Sequence, residues 1–445
     1  MPGAPDTRLA DRVELANRFR RLLQFDSVLL AVSGGSDSVA LLRLVDLWSA
    51  ELDGSGPAIS VATVDHGLRE GSADEADFVA QLASSLGYDH VTLRWQGTKP
   101  ETALQAQARE ARYRLLIERA DQLHGDTIIL TAHTQDDQAE TVIMRLARGS
   151  GPDGMAGIPN ELSRDGLTIL RPVLDVGRSE LRAFLTELNQ SWCEDPSNSL
   201  VEFERIRVRN AQSERKKLDL TDKALALTAR RMHRASQSLQ QVSRELLISV
   251  VGGQDLLRFG AFTWCPERMA KYGSEVGIRC LRQIIKMVGG NTNEPNLGQV
   301  ENLYGQIGDD GFRGTTLHGA RLLRQFHSDS PARFLILRET GRNGLPKLKI
   351  VPDMRTLWDH RFAVRTSSDV GEDFTIGPLR REELAEGDLQ SRASLPGLSA
   401  DMTNELLLTL PVIRHHDLLH SVPHFQAGDG KIEIDPDQFL ERFVL

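Results

Sequence analysis

Only three cysteines occur in this 445-residue chain, Cys193, Cys265 and Cys280, and they lie far apart. None forms a CxxC pair, which excludes a disulfide framework and leaves free thiols as the expected state. No run of about 18 or more apolar residues is present, so no membrane-spanning helix is expected. The first residues, MPGAPDTRLADRVELANRF, mix charges and contain no apolar stretch, so no secretory leader is expected either, and a cytoplasmic location follows. Positive charge is also scarce: a net charge of −9 excludes a uniformly basic protein that coats nucleic acid, though not a local basic stripe. What remains is an ordinary globular composition, 40% hydrophobic and 26% charged, on a chain long enough for roughly two or three domains.

One further absence lies inside a motif. LLAVSGGSDSVALLRL, Leu29 to Leu44, runs from an apolar strand through two glycines into a helix, yet holds no lysine. The common phosphate-binding loop GxxxxGK[ST] requires one. Around this stretch the first half of the chain alternates strand and helix signals. Strands are expected at Ser27–Ser33, Ile59–His66, VTLRW and Thr127–His133. Helices are expected at Ser36–Trp48, at Asp74–Gly87, over ETALQAQAREARYRLLIERADQLHG, and over DDQAETVIMRLARG. Such alternation implies a parallel sheet covered on both faces, with ligands at the carboxyl ends of its strands. SGGSDS, DHGLR and HTQDD all fall at those ends.

Beyond about Asn210 the pattern changes. A long charged helical stretch covers Leu218 to Val251, helical signals continue to Val288, and β-like segments (RFLILRE, LKIVP, RFAVRT) follow from Arg333. The expected organisation is an α/β Rossmann-like domain over residues 1–213, a mainly helical domain over 214–330, and a smaller mixed α+β domain over 331–445. Between Val201 and Gln240 ten Lys/Arg stand against five acids: Arg205, Arg207, Arg209, Arg215, Lys216, Lys217, Lys223, Arg230, Arg231 and Arg234. A solvated helix face would explain that run as well as a phosphate-contacting stripe does.

The glycine turn has its own chemistry. Gly34 and Gly35 let the backbone turn and expose successive N–H groups as an anion nest. Ser33, Ser36 and Ser38 supply hydroxyls, and the following helix presents its positive end. Asp37 repels a phosphate unless a cation bridges the two, which points to Mg²⁺. His133, Asp137 and Glu140 follow at spacings of four and three, placing the two acids on one helix face. Thr134 to Asp137 also has the form of a capping box, which would account for part of that spacing.

SGGSDS resembles the PP-loop of the ATP pyrophosphatase superfamily, SGGxDS. Five further segments occur in order: VDHGLR, EARYRLL, TAHTQDDQAETVIMRLARGSGPDGMAGI, RPVLDVGRSELRAFL and WCEDPSNSLVEFERIRVR. With the loop they resemble the tRNA(Ile)-lysidine synthase family across the first half of the chain, and LWDHRF and LPVIRHHDLLHSVP resemble its C-terminal part more weakly. The resemblance implies that ATP adenylates the C2 oxygen of the wobble cytidine in a CAU-anticodon tRNA(Ile). The amine of free L-lysine then displaces AMP. It implies a PP-loop of Ser33, Gly34, Gly35, Ser36, Asp37 and Ser38 that binds ATP, with Asp37 beside Mg²⁺. It further implies catalytic roles for Asp37, Arg112, His133 and Asp137, lysine contacts at Asp137, Glu140 and Arg205, and tRNA contacts at Arg205, Arg207, Arg209, Lys216 and Lys217. Asp65 and His66 end the second strand, where an adenylate or its ribose could be reached, and RGSG at Arg148–Gly151 ends its helix in a turn that a C-cap would also explain.

Two departures stand out: Ile206 occupies a position where the family carries Asn, and Thr134 one where a second His is common. A homodimer is left open. Rival readings are a PP-loop tRNA thiolase, which the lack of CxxC disfavours, an amide synthetase, which the basic stripe does not fit, and a non-catalytic binding module, which an intact loop argues against.

Overall fold

In the computed structural model, which describes residues 8–67, 71–97, 104–194, 204–251, 255–309, 311–325, 333–341, 344–386, 398–425 and 431–435, the apolar run before the glycine turn is strand β1 (Ser27–Ala31). Val28, Leu29 and Leu30 are each fully buried, because β1 is covered on both faces. It pairs in parallel with β2 (Ala58–Asp65) on one side and β4 (Thr127–Thr131) on the other, with Leu30 opposite Val61 and Leu130. Strand β3 (Asp89–Arg94) extends the sheet beyond β2. The four strands read from the sequence are therefore all present and parallel. A hairpin of β5 (Glu161–Arg164) and β6 (Leu167–Leu170), which sequence patterning did not reveal, completes the order β3-β2-β1-β4-β6-β5. β6 runs parallel to β4, and β5 is an antiparallel edge.

The alternation along β1 sorts its side chains. Val28 and Leu30 face a core shared with α1 (Arg12–Phe19), α2 (Ser36–Ala50), α3 (Ser72–Ser85) and α7 (Arg178–Glu187). Leu29, with Ala62 and Ile129, faces Tyr113, Leu116 and Ile117 of α4 (Leu104–Ala120). Each such large apolar side chain contributes about 1.5–3 kcal/mol on burial, so a charge at Leu30 would break the sheet's centre. The chain leaves β1 toward β2 and β3, then crosses back through α4 to β4 on the other side of β1. This reversal opens a crevice between the carboxyl ends of β1 and β4, where ligands bind in sheets of this kind. Helices α5 (Gln135–Ala147), α6 (Pro152–Met155), α8 (Glu204–Asn210) and α9 (Gln212–Lys217) follow, and then α10 (Asp222–Val251).

The chain divides into two compact units after Ser236. In the second, β7 (Phe262–Trp264), β8 (Gly314–Leu317), β9 (Ala320–Gln325) and β10 (Arg333–Arg338) form an antiparallel sheet in the order β7-β10-β9-β8. The helices Ser274–Val288 and Leu297–Ile307 pack on it. A second core holds a four-stranded sheet of β11 (Leu348–Lys349), β14 (Phe374–Pro378), β15 (Pro411–His415) and β16 (Leu418–Ser421). It also holds a three-stranded one of β12 (Arg355–Trp358), β13 (Phe362–Thr366) and β17 (Ile432–Asp435). LWDHRF is the turn between β12 and β13, and the HHDL of the other tail motif is the β15–β16 hairpin. His416 and Asp417 there both take the left-handed backbone that a tight hairpin demands. Among the described residues, no helix is long and apolar enough to cross a membrane.

Candidate active site

The turn after β1 is held open by its glycines and braced by its serines. Gly34 has φ +88°, a conformation that L side chains rarely adopt, and an added Cβ would meet Cys193 Sγ at 3.4 Å. The Cys193 N–H donates to the Gly34 carbonyl at 2.9 Å, fixing the turn from outside. Ser38 Oγ accepts from the Ser33 N–H at 3.1 Å and donates to the Gly35 carbonyl at 3.0 Å, so its hydroxyl stabilises the loop. Gly35 is the N-cap of α2 and offers no side chain to it. The first N–H groups of that 15-residue helix therefore have no side-chain cap among the described residues, which is the geometry of an anion site.

Asp37 lies in the first turn of α2. Burial pushes its pKa up, and the Arg178 guanidinium opposes the rise by donating from Nε to Oδ2 at 3.0 Å. Its other oxygen accepts from Ser36 Oγ at 3.2 Å, and Arg182 Nε donates to that same hydroxyl at 3.3 Å.

Across the crevice, α5 begins with the capping box that its sequence suggested. Asp137 Oδ2 accepts from the Thr134 N–H at 2.8 Å, and Thr134 Oγ1 accepts from the Asp137 N–H at 3.4 Å. Thr134, one of the two departures from the family pattern, is fully buried as this cap. The remaining oxygen of Asp137, Oδ1, accepts from Arg205 at 2.8 Å and from Arg178 at 3.1 Å. Burial alone would raise the Asp137 pKa, but those guanidiniums outweigh it and hold the carboxyl below its usual range. Glu140, one turn on, accepts from Arg205 Nε at 2.6 Å and from Arg209 Nε at 2.8 Å, with Arg178 at 3.9 Å. Arg205 and Arg209 are four residues apart on α8, so they share the face that meets α5. Three carboxylates and three guanidiniums thus form one cluster, with Glu140 only 3% exposed at its side chain.

His133 stands just before the cap, its Nδ1 3.1 Å from Thr131 Oγ1. Burial drives its pKa far down, and the neighbouring Arg171 and Arg109 add to this, so the ring is neutral at ordinary pH. Arg112 on α4 is reached by solvent, yet desolvation together with the nearby cations Arg109 and Arg205 pushes its pKa down. No acid pairs with it among the described residues. Tyr113 beside it receives hydrogen bonds from Arg109 at 3.3 Å and Arg171 at 3.4 Å. Arg207, Lys216 and Lys217 are exposed, and Lys217 also pairs with Glu214. Of EDPSN only Glu194 is described, the rest lying outside the described residues with Leu68 and Arg69 of DHGLR, and the side chain of Ile206 is likewise not described.

The structure therefore brings Asp37, Asp137, Glu140 and Arg205 into one cluster and keeps Arg112 and His133 beside it. Sequence reasoning missed Arg178, Arg182 and the inward turn of Arg209. Arg178 carried a signal nonetheless: a cation at the first position of a helix opposes the helix dipole, so it needs a reason to be there. As for metal ligands, no group of three or more His, Cys, Asp or Glu among the described residues is placed to hold an ion. Asp37 stands in the first turn of α2 at the anion site, which suits an ion held mainly by phosphates and water.

Comparison with known proteins places these features in a family context. A family model described as a PP-loop domain matches residues 8–215. A tRNA(Ile)-lysidine synthase of Rhodopseudomonas palustris is 41% identical over 280 residues, covering 62% of this chain and 79% of that one. One from Brucella suis is 33% identical over 413 residues, covering 91% of this chain and 87% of that one. Among solved structures, the U34-tRNA thiolase NcsA from Methanococcus maripaludis, which holds a [4Fe-4S] cluster, aligns with a TM-score of 0.42 at 17% identity, over 50% of this chain and 79% of that chain.

Proposed function

The chain belongs to the tRNA(Ile)-lysidine synthase family, a family of ATP-using ligases that modify tRNA, and from that premise we propose that it joins L-lysine to C2 of the wobble cytidine of CAU-anticodon tRNA(Ile). In the first step the cytidine O2 attacks the α-phosphorus of ATP. An O–P bond forms, the α–β phosphoanhydride breaks, and pyrophosphate leaves. In the second step a neutral amine of lysine attacks C2, a C–N bond forms, the C–O bond to the phosphate breaks, and AMP leaves.

The observation that carries this reading is the joining of Asp37, on the nucleotide side of the crevice, to Asp137 and Glu140 on the other by one guanidinium. An amine site and a triphosphate site are thereby adjacent. Ser33, Gly34, Gly35, Ser36, Asp37 and Ser38 take the phosphates of ATP, largely through backbone N–H groups. Asp37 would hold Mg²⁺, which neutralises polyphosphate charge when bound. Arg112, which has no acidic partner among the described residues, stabilises the charge that develops on pyrophosphate. Burial, opposed by Asp137, lowers the His133 pKa, and the ring acts as a neutral hydrogen-bonding group toward the adenylate.

Asp137 and Glu140 hold the ammonium groups of lysine, and Arg205 its carboxylate. Residues 1–213 carry this chemistry, while 214–330 and 331–445 contact the tRNA. Exposed Arg207, Lys216 and Lys217 face solvent, where phosphates can reach them. Arg205 and Arg209 exchange acids for substrate before meeting phosphates. The chain acts in the cytoplasm, and a homodimer is compatible with this chemistry.

The test supplies ATP, Mg²⁺, L-lysine and a CAU-anticodon tRNA, resolves AMP from ADP, and analyses the tRNA nucleosides by mass spectrometry. AMP release that depends on lysine, with a cytidine gaining a lysyl group, is expected. AMP release without lysyl transfer would remove lysine as the nucleophile, and no AMP with any tRNA would remove the enzymatic reading.

A further inference from the structure

Arg178 is fixed in place by its backbone and divided between two sites by its side chain. Its N–H donates to Asp136 Oδ2 at 2.8 Å, so a residue of the first turn of α5 caps α7. Just before it, the Val176 carbonyl accepts from the Gln135 N–H at 2.9 Å. The start of α7 is thus tied to the start of α5, while the guanidinium reaches over to α2. Nε donates to Asp37 and a terminal nitrogen to Asp137, at 3.0 and 3.1 Å. Its side chain is 19% exposed, and those of Asp37 and Asp137 are 21% and 12% exposed, so these contacts are only weakly screened.

Among the described residues the cluster pairs three acids with three arginines. A lysine ammonium cannot join Asp137 and Glu140 unless a guanidinium yields. We propose that Arg178 is the positioning residue that couples the two sites: nucleotide bound at the loop draws its guanidinium off Asp137, and that release tightens lysine binding. The proposal rests on the reading that Asp137 and Glu140 hold lysine. A triphosphate brings more negative charge to the Asp37 side than one carboxylate carries, and a guanidinium binds phosphate oxygens bidentately. The contact given up is one of two on Asp137 Oδ1, which keeps its bond from Arg205 at 2.8 Å. Oδ2 stays locked in the helix cap, so Oδ1 keeps its position and has room for an ammonium beside Arg205. Without nucleotide, lysine would have to displace a largely buried cation and leave it with Asp37 and a more distant Glu140, which weakens lysine binding. Arginine suits the task because its nitrogens point in different directions from one planar group, whereas a lysine presents a single nitrogen.

Such coupling is reciprocal, so lysine must tighten nucleotide binding by the same factor. The experiment titrates L-lysine calorimetrically into the full-length protein, with and without Mg²⁺ plus α,β-methylene ATP. The wild type is expected to bind lysine roughly 5- to 10-fold more tightly with the nucleotide present. In Arg178→Gln and Arg178→Lys that ratio is expected to fall to about one. The lysine variant keeps the charge and guards against a folding defect in the glutamine variant. A purely structural role would weaken lysine binding equally in both conditions and leave the ratio intact. A wild-type ratio of one with lysine bound, or an unchanged ratio in both variants, overturns the coupling alone. No lysine binding by the wild type under either condition overturns the assignment of Asp137 and Glu140 itself.

Discussion

Asp137 does two jobs with two oxygens, and the division between them sets what a substitution can reveal. Oδ2 closes the helix cap, while Oδ1 faces Arg178 and Arg205. Asparagine can still accept from the Thr134 N–H, but its amide nitrogen then points donors at guanidinium donors and offers nothing to an ammonium. Asp137→Asn is therefore expected to raise the KM for lysine about tenfold or more, the scale of one lost charged hydrogen bond. AMP formed in a single turnover without lysine should change much less. Steady-state titration of lysine beside that single-turnover assay separates the two effects, and an unchanged lysine KM would remove Asp137 from the amine site. The pairing of Asp137 with Glu140 was legible in the sequence because a spacing of three places both on one face of α5. Arg178 was not, since its partners lie 141 and 41 residues away and meet it only once β1 and β4 are neighbours.

At the scale of elements, the site depends on how α5 starts. Four strands, their parallel order and the loop positions could all be read from alternating burial, because both faces of the sheet are covered. The β5–β6 hairpin escaped that reading: its strands are four residues each, and β5 alternates exposed and half-buried positions at the sheet's edge. α8 was read as part of a basic stripe, yet two of its arginines are turned to Asp137 and Glu140. Charge counting gives the sign of a segment, but not the direction in which each side chain faces. The capping box, by contrast, was legible and is real. Thr134→Ala removes the hydroxyl that caps Asp137's N–H and should cost about 1 kcal/mol of stability. It should also raise the lysine KM, since Asp137 then keeps one tether in place of two. Thr134→Ser should restore most of both in urea unfolding and lysine titration. Equal losses in the two variants would assign the effect to the missing methyl and clear the cap of any part in it.

For the whole molecule, the C-terminal unit was the least legible, and its own chemistry explains why. Its sheets join strands distant in sequence, such as β7 with β10 and β13 with β17, and no local period announces those pairings. Its core also carries polar groups that composition would place on a surface. Arg361 is fully buried, donating to Asp359 at 2.8 Å and to the Thr409 carbonyl at 2.6 Å, and Arg338 donates to the same Asp359. The LWDHRF motif is in that sense a folding device.

Close by, His424 is 3% exposed, its ring 5.1 Å from that of Phe362 and 5.9 Å from that of Phe259. Burial, with the charges of Arg258 and Arg361, lowers its pKa to about 3. An unfolded chain protonates this histidine near its ordinary value of 6.5, so below that pH the unfolded state binds a proton that the folded state refuses. Stability contributed by the neutral ring is thus fully present above about pH 6.5 and is lost as pH falls toward 3, by roughly 1 kcal/mol per pH unit. His424→Phe removes the titration while keeping a ring among the aromatics. Thermal unfolding at pH 7.5 and 5.5 should then show a smaller drop in Tm for the variant than for the wild type. Equal drops would clear His424 and move the acid sensitivity of this unit to other groups.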